Sequence, residues 1–280
     1  MSAFVFFAVL AAAAMHAGWN AVIKIRLDRF ASISLMTLAT AVVSLPVLPF
    51  VAFPSAETWS WIGASLVFHT GYKYFLTRAY DSGDLAQAYP LARGSAPLLT
   101  TIGAILLFRE MPEAVAIGGI VLLSAGTFLM SLRGGSIEGL RSRAVTYALV
   151  TSLFITGYTL TDGMGARSAD TALSYAAWLY IGDGIWSSIF CILLRGPGIV
   201  RVVLPEWKSA LGAGFLSAAA YAIAMWAMTK APIAVVAALR ETSILFAMML
   251  SVLMIGETLT RWRVAAALLI VGGVAALRLA

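Results

Sequence analysis

The chain reads as an all-α membrane protein: ten transmembrane helices arranged as two inverted five-helix repeats. Three observations predict that fold class. Stretches of about 20 apolar residues follow one another from Ala3 to Leu279 with little polar chain between them, and each is long enough to cross a hydrocarbon core of roughly 30 Å as a helix. Composition agrees, with 61% hydrophobic and 11% charged residues and a mean hydropathy of +0.92; a soluble domain carries about a quarter charged residues. Finally, an offset of 147 residues superposes Arg93 on Arg240, Glu110 on Glu257 and Gly126 on Gly273. Arg and Glu are rare in membrane helices, so a shared spacing of 17 residues between them in both halves points to duplication.

The spans fall at 3–23, 31–52, 58–79, 85–108, 114–132, 144–164, 173–194, 209–228, 233–255 and 262–279. In lipid the backbone of such segments must bond within each helix. The first carries His16, Trp19 and Asn20 at i, i+3 and i+4, so one turn presents an imidazole, an indole and an amide on a single face. No basic residue precedes it, and Ala11–Ala14 matches a cleavage site only weakly, so an uncleaved helix is expected. The third span repeats the spacing with His69, Tyr72 and Lys73.

The fourth span holds Pro90 and Pro97 around Arg93. Each proline frees the carbonyl four residues earlier, which predicts a broken helix lining a cavity. Arg93 would offer its fork of donors to a carboxylate or phosphate there, or pair structurally with a Glu. Past the long polar connection 133–143, the sixth span puts Tyr158, Thr161 and Asp162 on one face, with Asp162 close enough to the end to read as a boundary residue. The seventh has Asp183 at its middle, with Trp178 and Tyr180 deep in it, and Cys191 as a packing residue. Tyr221 and Trp226 lie deep in the eighth, whereas Trp59, Trp61, Trp207 and Trp262 sit at span ends, where indoles anchor helices at the interface. In the ninth, Arg240 and Glu241 are adjacent and point about 100° apart. Each therefore needs a partner on another helix, and Asp183 is the leading candidate.

Ionisable residues inside spans cost about 2.5–3.5 kcal/mol each on insertion scales, so they default to functional candidates. The solute-binding set expected is His16, Trp19, Asn20, His69, Lys73, Tyr89, Arg93, Trp178, Tyr221, Trp226 and Arg240. Asp183 and Glu241, the carboxylates read as well inside spans, are the expected proton carriers. His16 and His69 have a structural reading as well, as neutral rings bonded to neighbouring helices, and Lys73 could snorkel outward. Arg93 and Arg240 each fall on the order of 6 Å from a helix midpoint toward the N-terminal end. Their helices run in opposite senses, so the two are expected on opposite sides of the midplane, contacting an anionic group in turn.

Connections of mostly 4 to 12 residues make neighbouring helices antiparallel. Five spans per repeat, an odd number, invert the second unit (143–280) relative to the first (1–135). That is the plan of secondary transporters, with the solute site between the halves. Leaving out the intramembrane Lys73, Arg93 and Arg240, one face receives twelve Lys or Arg, including Lys24, Arg26, Arg29, Arg133, Arg141 and Arg143, and the other face four. The count places those connections in the cytoplasm and both termini in the periplasm. The formal charge of +6 therefore serves orientation, and nucleic acid is not an expected partner.

Three segments look familiar: His16-Ala-Gly-Trp-Asn20, Tyr89-Pro-Leu-Ala-Arg-Gly94, and a glutamate closing the fourth helix of each repeat, as Arg109-Glu110 and Gly256-Glu257. With them the chain resembles, over essentially its whole length, the EamA-type drug/metabolite transporters, which are ten helices built as two five-helix repeats. In that family a glycine usually precedes the glutamate, and Arg109 departs from the pattern. The resemblance implies a solute carrier, usually an exporter, driven by a proton or solute gradient. Family members carry amino acids, sugars, nucleotide derivatives and amphipathic compounds. Many have cytoplasmic termini, against the charge count here.

The function expected is export of a small anionic or zwitterionic, amino acid-like metabolite across the inner membrane, by a chain acting as a monomer without cofactor or metal. Rival classes are a scaffold or flippase accessory subunit and an intramembrane enzyme. The second is disfavoured: His-Glu-x-x-His is absent, and Ser187 and Ser188 lack a Gly-rich nucleophile setting.

Overall fold

A computed structural model describes residues 1–22, 29–82, 85–131, 142–256 and 258–280. The side chains of 21, 22, 29, 85–89, 131, 142 and 255 are outside that description, so the expectations for Lys24, for the Tyr89 side chain and for Glu257 fall beyond the described residues. The helices are α1 (Ala3–Val22), α2 (Arg29–Ser44), α3 (Ala56–Ser82), α4 (Leu85–Phe108), α5 (Ala114–Ser131), α6 (Ser142–Ser168), α7 (Ala172–Arg195), the short α8 (Ile199–Val203), α9 (Trp207–Met228), α10 (Ile233–Arg240), α11 (Ser243–Ile255) and α12 (Arg261–Leu279). Among the described residues, eight segments are long and apolar enough to cross a membrane, and Ala114–Met130 is a shorter apolar helix. The α3 segment has the length, 27 residues, but carries Glu57, Lys73, Arg78 and Asp81.

Local chemistry sets the ends. The last turns of the second span tighten into a 3-10 helix at Leu45–Phe50, where Pro46 and Pro49 sit and withhold backbone donors. Thr171 caps α7 by accepting from Ser174 N at 3.0 Å, and α11 stops on Gly256 in the left-handed region (φ 73).

Two expectations are corrected here. The fourth span is not broken: α4 runs through both Pro90 and Pro97. The interruption lies in the ninth span, where Glu241 and Thr242 separate α10 from α11. The third and sixth helices also outrun the expected spans, to Ser82 and Ser168. Asp162 is thus more than a turn inside α6, not at its boundary.

Between helices in lipid, close packing replaces the hydrophobic effect as the source of cohesion. Pairs include α3 on α6, α1 on α9, α2 on α7 and α5 on α12, with α4 lying against α5, α6 and α10. Glycines let α5 and α12 touch backbone to backbone: a Cβ on Gly119 would stand 2.9 Å from Gly273 O, and one on Gly126 2.8 Å from Ala266 O. Helices α1, α2, α3, α4, α6, α7, α9, α10 and α11 surround a central cavity.

Candidate functional site

The cavity holds about 640 Å³, within the range of small-molecule sites. It extends to Asn20, Ser32, Tyr80 and Pro90, near the ends of α1 to α4 that meet the 23–28 and 83–84 connections. Of the expected solute-binding residues, His16, Trp19, Asn20, His69, Lys73, Arg93, Tyr221 and Arg240 all line it, with Asp183. Trp178 and Trp226 do not. Trp178 Nε1 donates to Ala52 O at 3.0 Å and its ring packs on Phe53 and Trp59, while Trp226 meets Phe4 edge-on at 5.7 Å. Place along the chain makes both indoles deep, but their faces turn away from the cavity.

The charged groups meet in partnerships that the spacing did not reveal. Lys73, expected to bind solute and with outward snorkelling as its other reading, is 4% exposed. Its Nζ donates to both oxygens of Asp183, at 2.6 and 2.7 Å, and to Ser187 Oγ. Asp183 is therefore the partner of Lys73 and not of Arg240 or Glu241. Glu241 instead accepts from Arg93 Nε at 2.9 Å, with both side chains about 95% buried (4% and 5% exposed). Arg93 thereby reaches the residue next to Arg240, and all three border one small space behind the cavity. Breaking such a buried pair by deleting one partner costs about 3–5 kcal/mol, because the other charge stays buried and alone.

Asp162, expected at a boundary, is a hub. It is 0% exposed and accepts from Tyr175 Oη at 2.9 Å and Tyr221 Oη at 2.5 Å, while His69 Nε2 lies 3.1 Å from it. The His69 ring stacks on Tyr158 with 4.3 Å between centroids. Tyr221 joins this hub to the cavity, because the Arg240 guanidinium sits over its ring at 4.6 Å. Counting residues to the end of an apolar stretch placed Asp162 too near the surface; three polar side chains from α3, α7 and α9 converging on it carry no signal along the sequence.

On α1 the i, i+3, i+4 reading holds in geometry. Trp19 Nε1 donates to His16 Nδ1 at 3.3 Å, which assigns the imidazole proton to Nε2. Asn20 Nδ2 donates back to His16 O at 2.8 Å.

A second ionic cluster lies at the opposite end of the bundle. Glu110 Oε1 accepts from Arg167 Nη2 at 2.9 Å and its Oε2 from Ile233 N, the first residue of α10, at 3.2 Å. Arg167 also donates to Met228 O at 2.8 Å and Ala231 O at 3.2 Å. One carboxylate thereby ties the ends of α4, α6, α9 and α10. Cys191 packs with Phe30 and Ala31. Among the described residues no group of three or more His, Cys, Asp and Glu is arranged to hold a metal ion.

The model of the EamA-like transporter family matches the chain twice, over residues 3–132 and 142–279. A solved crystal structure superposes with a TM-score of 0.79 at 17% identity, covering 100% of this chain and 99% of that chain; at that identity the likeness speaks to the fold alone. No curated protein matches.

Proposed function

The chain belongs to the EamA-like transporter family, and from that premise we propose that it exports a small organic solute across the inner membrane by alternating access. The solute is anionic or zwitterionic and amino acid-like, and its passage is driven by protons or by exchange. The observation that carries this reading is the cavity itself: some 640 Å³ bordered by His16, Lys73, Arg93 and Arg240, beside a mid-span helix interruption at Glu241–Thr242. Interrupted helices at the solute site are the recurring device of secondary carriers. The cavity reaches the α1–α4 ends on one side, and the Glu110–Arg167 cluster braces the other, as expected of a carrier resting with one side shut.

Two inverted units, 1–135 and 143–280, acting together as a monomer, are part of the proposal. Supporting them, the α5–α12 contact reads the same from either half: adding 147 to Gly126 and subtracting it from Ala266 turns the Gly126–Ala266 approach into Gly273–Gly119, the second close approach observed. A two-fold relation between the units gives that exchange. Periplasmic termini follow from the charge count, so an alkaline phosphatase fused at the C-terminus should be active, and an inactive fusion would reverse the orientation.

In this reading Asp183 and Glu241 carry the protons, each taking one up as it parts from its cation. The test is a solute screen in proteoliposomes under an imposed pH gradient. The expected result is uphill accumulation of an anionic or zwitterionic solute by the unmodified chain. Asp183→Asn paired with Lys73→Gln, or Glu241→Gln paired with Arg93→Met, so that no charge is stranded, should abolish accumulation and keep downhill exchange. If both variants still concentrate solute, neither carboxylate carries the proton; if the unmodified chain moves nothing in the screen, the transport reading fails.

A further inference from the structure

The charges around the cavity are committed in pairs, with one exception. Lys73 is held by both oxygens of Asp183, and Arg93 by Glu241. Asp162 is enclosed by the hydroxyls of Tyr175 and Tyr221 and by His69. Among the described residues Arg240 has no carboxylate within ion-pair distance. What it has is a seat. Its guanidinium carbon stands 4.6 Å from the centre of the Tyr221 ring, a cation–π distance, and that ring is pinned because its hydroxyl is bound to the buried Asp162. His16 lines the same cavity within electrostatic reach of Arg240, and the Trp19 hydrogen bond to Nδ1 leaves its Nε2–H as a donor.

We propose that Arg240 and His16 form a subsite for a single carboxylate, and that the solute is an organic monocarboxylate with an apolar or aromatic body and no free ammonium. The inference rests on reading this cavity as the solute site, and narrows its class from anion or zwitterion to the anion. One cation without a counter-charge neutralises one negative charge; a second, as on a phosphate dianion, would be desolvated without a partner. An α-ammonium is disfavoured by the same reasoning, since the three carboxylates beside the cavity are already engaged. The body of the acid finds the rings of Trp19, Tyr80, Tyr158 and Tyr180 along the wall. Asp162 and Tyr221 act here as positioning residues, fixing the plane on which the guanidinium rests.

Four probes with one ring and different charge separate the possibilities: 3-phenylpropanoate, phenylalanine, phenethylamine and phenyl phosphate. Binding is measured by calorimetry to the full chain in lipid nanodiscs. We expect 3-phenylpropanoate to bind about tenfold or more tighter than the other three, and Arg240→Gln to lose about 10- to 100-fold of that affinity, as for a hydrogen bond to a charged group. Arg240→Lys keeps the charge without the fork and should fall between. Tyr221→Phe, which keeps the ring and frees it from Asp162, should weaken 3-phenylpropanoate and leave phenethylamine unmoved. Phenylalanine or phenyl phosphate binding as tightly as 3-phenylpropanoate, no probe binding at all, or an unchanged affinity in folded Arg240→Gln would each overturn the proposal. Binding lost with Arg240, in a protein that moves none of the four through proteoliposomes, would uphold the subsite and sink the transport reading instead.

Discussion

The fourth helix and the ninth span occupy matching places in the two halves, and they solve opposite problems. The 147-residue register sets Arg93 against Arg240 and Gly94 against Glu241. Helix α4 contains two prolines and stays helical throughout; the ninth span has none between 233 and 255 and is interrupted. Hydroxyls attend the proline region of α4: Thr101 Oγ1 donates to Pro97 O at 2.8 Å, and Thr156 Oγ1 of α6 to Ala96 O at 3.3 Å. They bond carbonyls at and next to Pro97, not the Ala86 and Arg93 carbonyls that the prolines free. In the ninth span the ladder itself changes, with Glu241 N bonding to Ala238 O, Thr242 N to Leu239 O and Ile244 N to Glu241 O. These i to i−3 bonds form a 3-10 turn, which in mid-helix often marks a hinge. At its centre Glu241 reaches Arg93, and Thr242 Oγ1 bonds to Leu239 O at 2.7 Å. The interruption follows the charged pair, not the prolines.

The halves differ in one residue that decides the electrostatics. A Cβ on Gly94 would stand 3.0 Å from the Phe128 ring, so a second carboxylate at that place would require the ring to shift. The register supplies one carboxylate for two arginines, Glu241 bonds Arg93, and Arg240 is left facing the cavity.

The largest effect should come from breaking that arrangement. Arg93→Met and Glu241→Gln each strand a buried charge, and each should cost about 3–5 kcal/mol in reversible unfolding. The double variant Arg93→Met with Glu241→Gln removes both charges and should be more stable than Arg93→Met alone. If the singles unfold like the unmodified chain, the pair does not hold the two halves together at this point.

A smaller effect tests whether the halves truly mirror each other. Gly126→Ala drives a methyl against Ala266 O and Ile270, and Gly119→Ala drives one against Gly273 O and Leu277. Overpacking of this kind costs about 1–3 kcal/mol, and the two costs should agree. Gly118→Ala, where nothing lies within 4 Å, should be neutral or slightly stabilising. Unequal costs at 119 and 126 would mean that the α5–α12 seam is not the shared axis of the two units.

Much of this was legible in the chain. Apolar runs separated by short connections delimited the helices, because a helix in lipid must satisfy its own backbone. The 3.6-residue period placed His16, Trp19 and Asn20 on one face, and rare intramembrane charge singled out Lys73, Arg93, Asp183, Arg240 and Glu241. Partner choice was not legible. Whether Asp183 meets Lys73 or Arg240 depends on the rotation of α3, α7 and α10 about their axes, and apolar faces all round fix that rotation weakly. Asp162 was misjudged for a related reason: α6 continues four residues past the apolar stretch to Ser168, because Arg167 finds Met228 O, Ala231 O and Glu110 to bond.

The smallest effect belongs to the prolines themselves. If α4 keeps its course because of packing against α5 and α6 and not because of a proline break, Pro97→Ala should change little. It restores a backbone donor toward the Arg93 carbonyl and removes a ring that the helix already accommodates. The expected shift in unfolding free energy is within about 1 kcal/mol, against the ~3 kcal/mol that proline costs in the interior of an ordinary soluble helix. Thr242→Ala on the other half makes the comparison sharp. Losing the Thr242 hydroxyl bond to Leu239 O takes away one contribution to the tight turn, so hydrogen exchange at the amides of 241–245 should slow as regular helix becomes more accessible. Exchange that slows in Pro97→Ala at 93–97 and not in Thr242→Ala would put the hinge on the fourth helix after all.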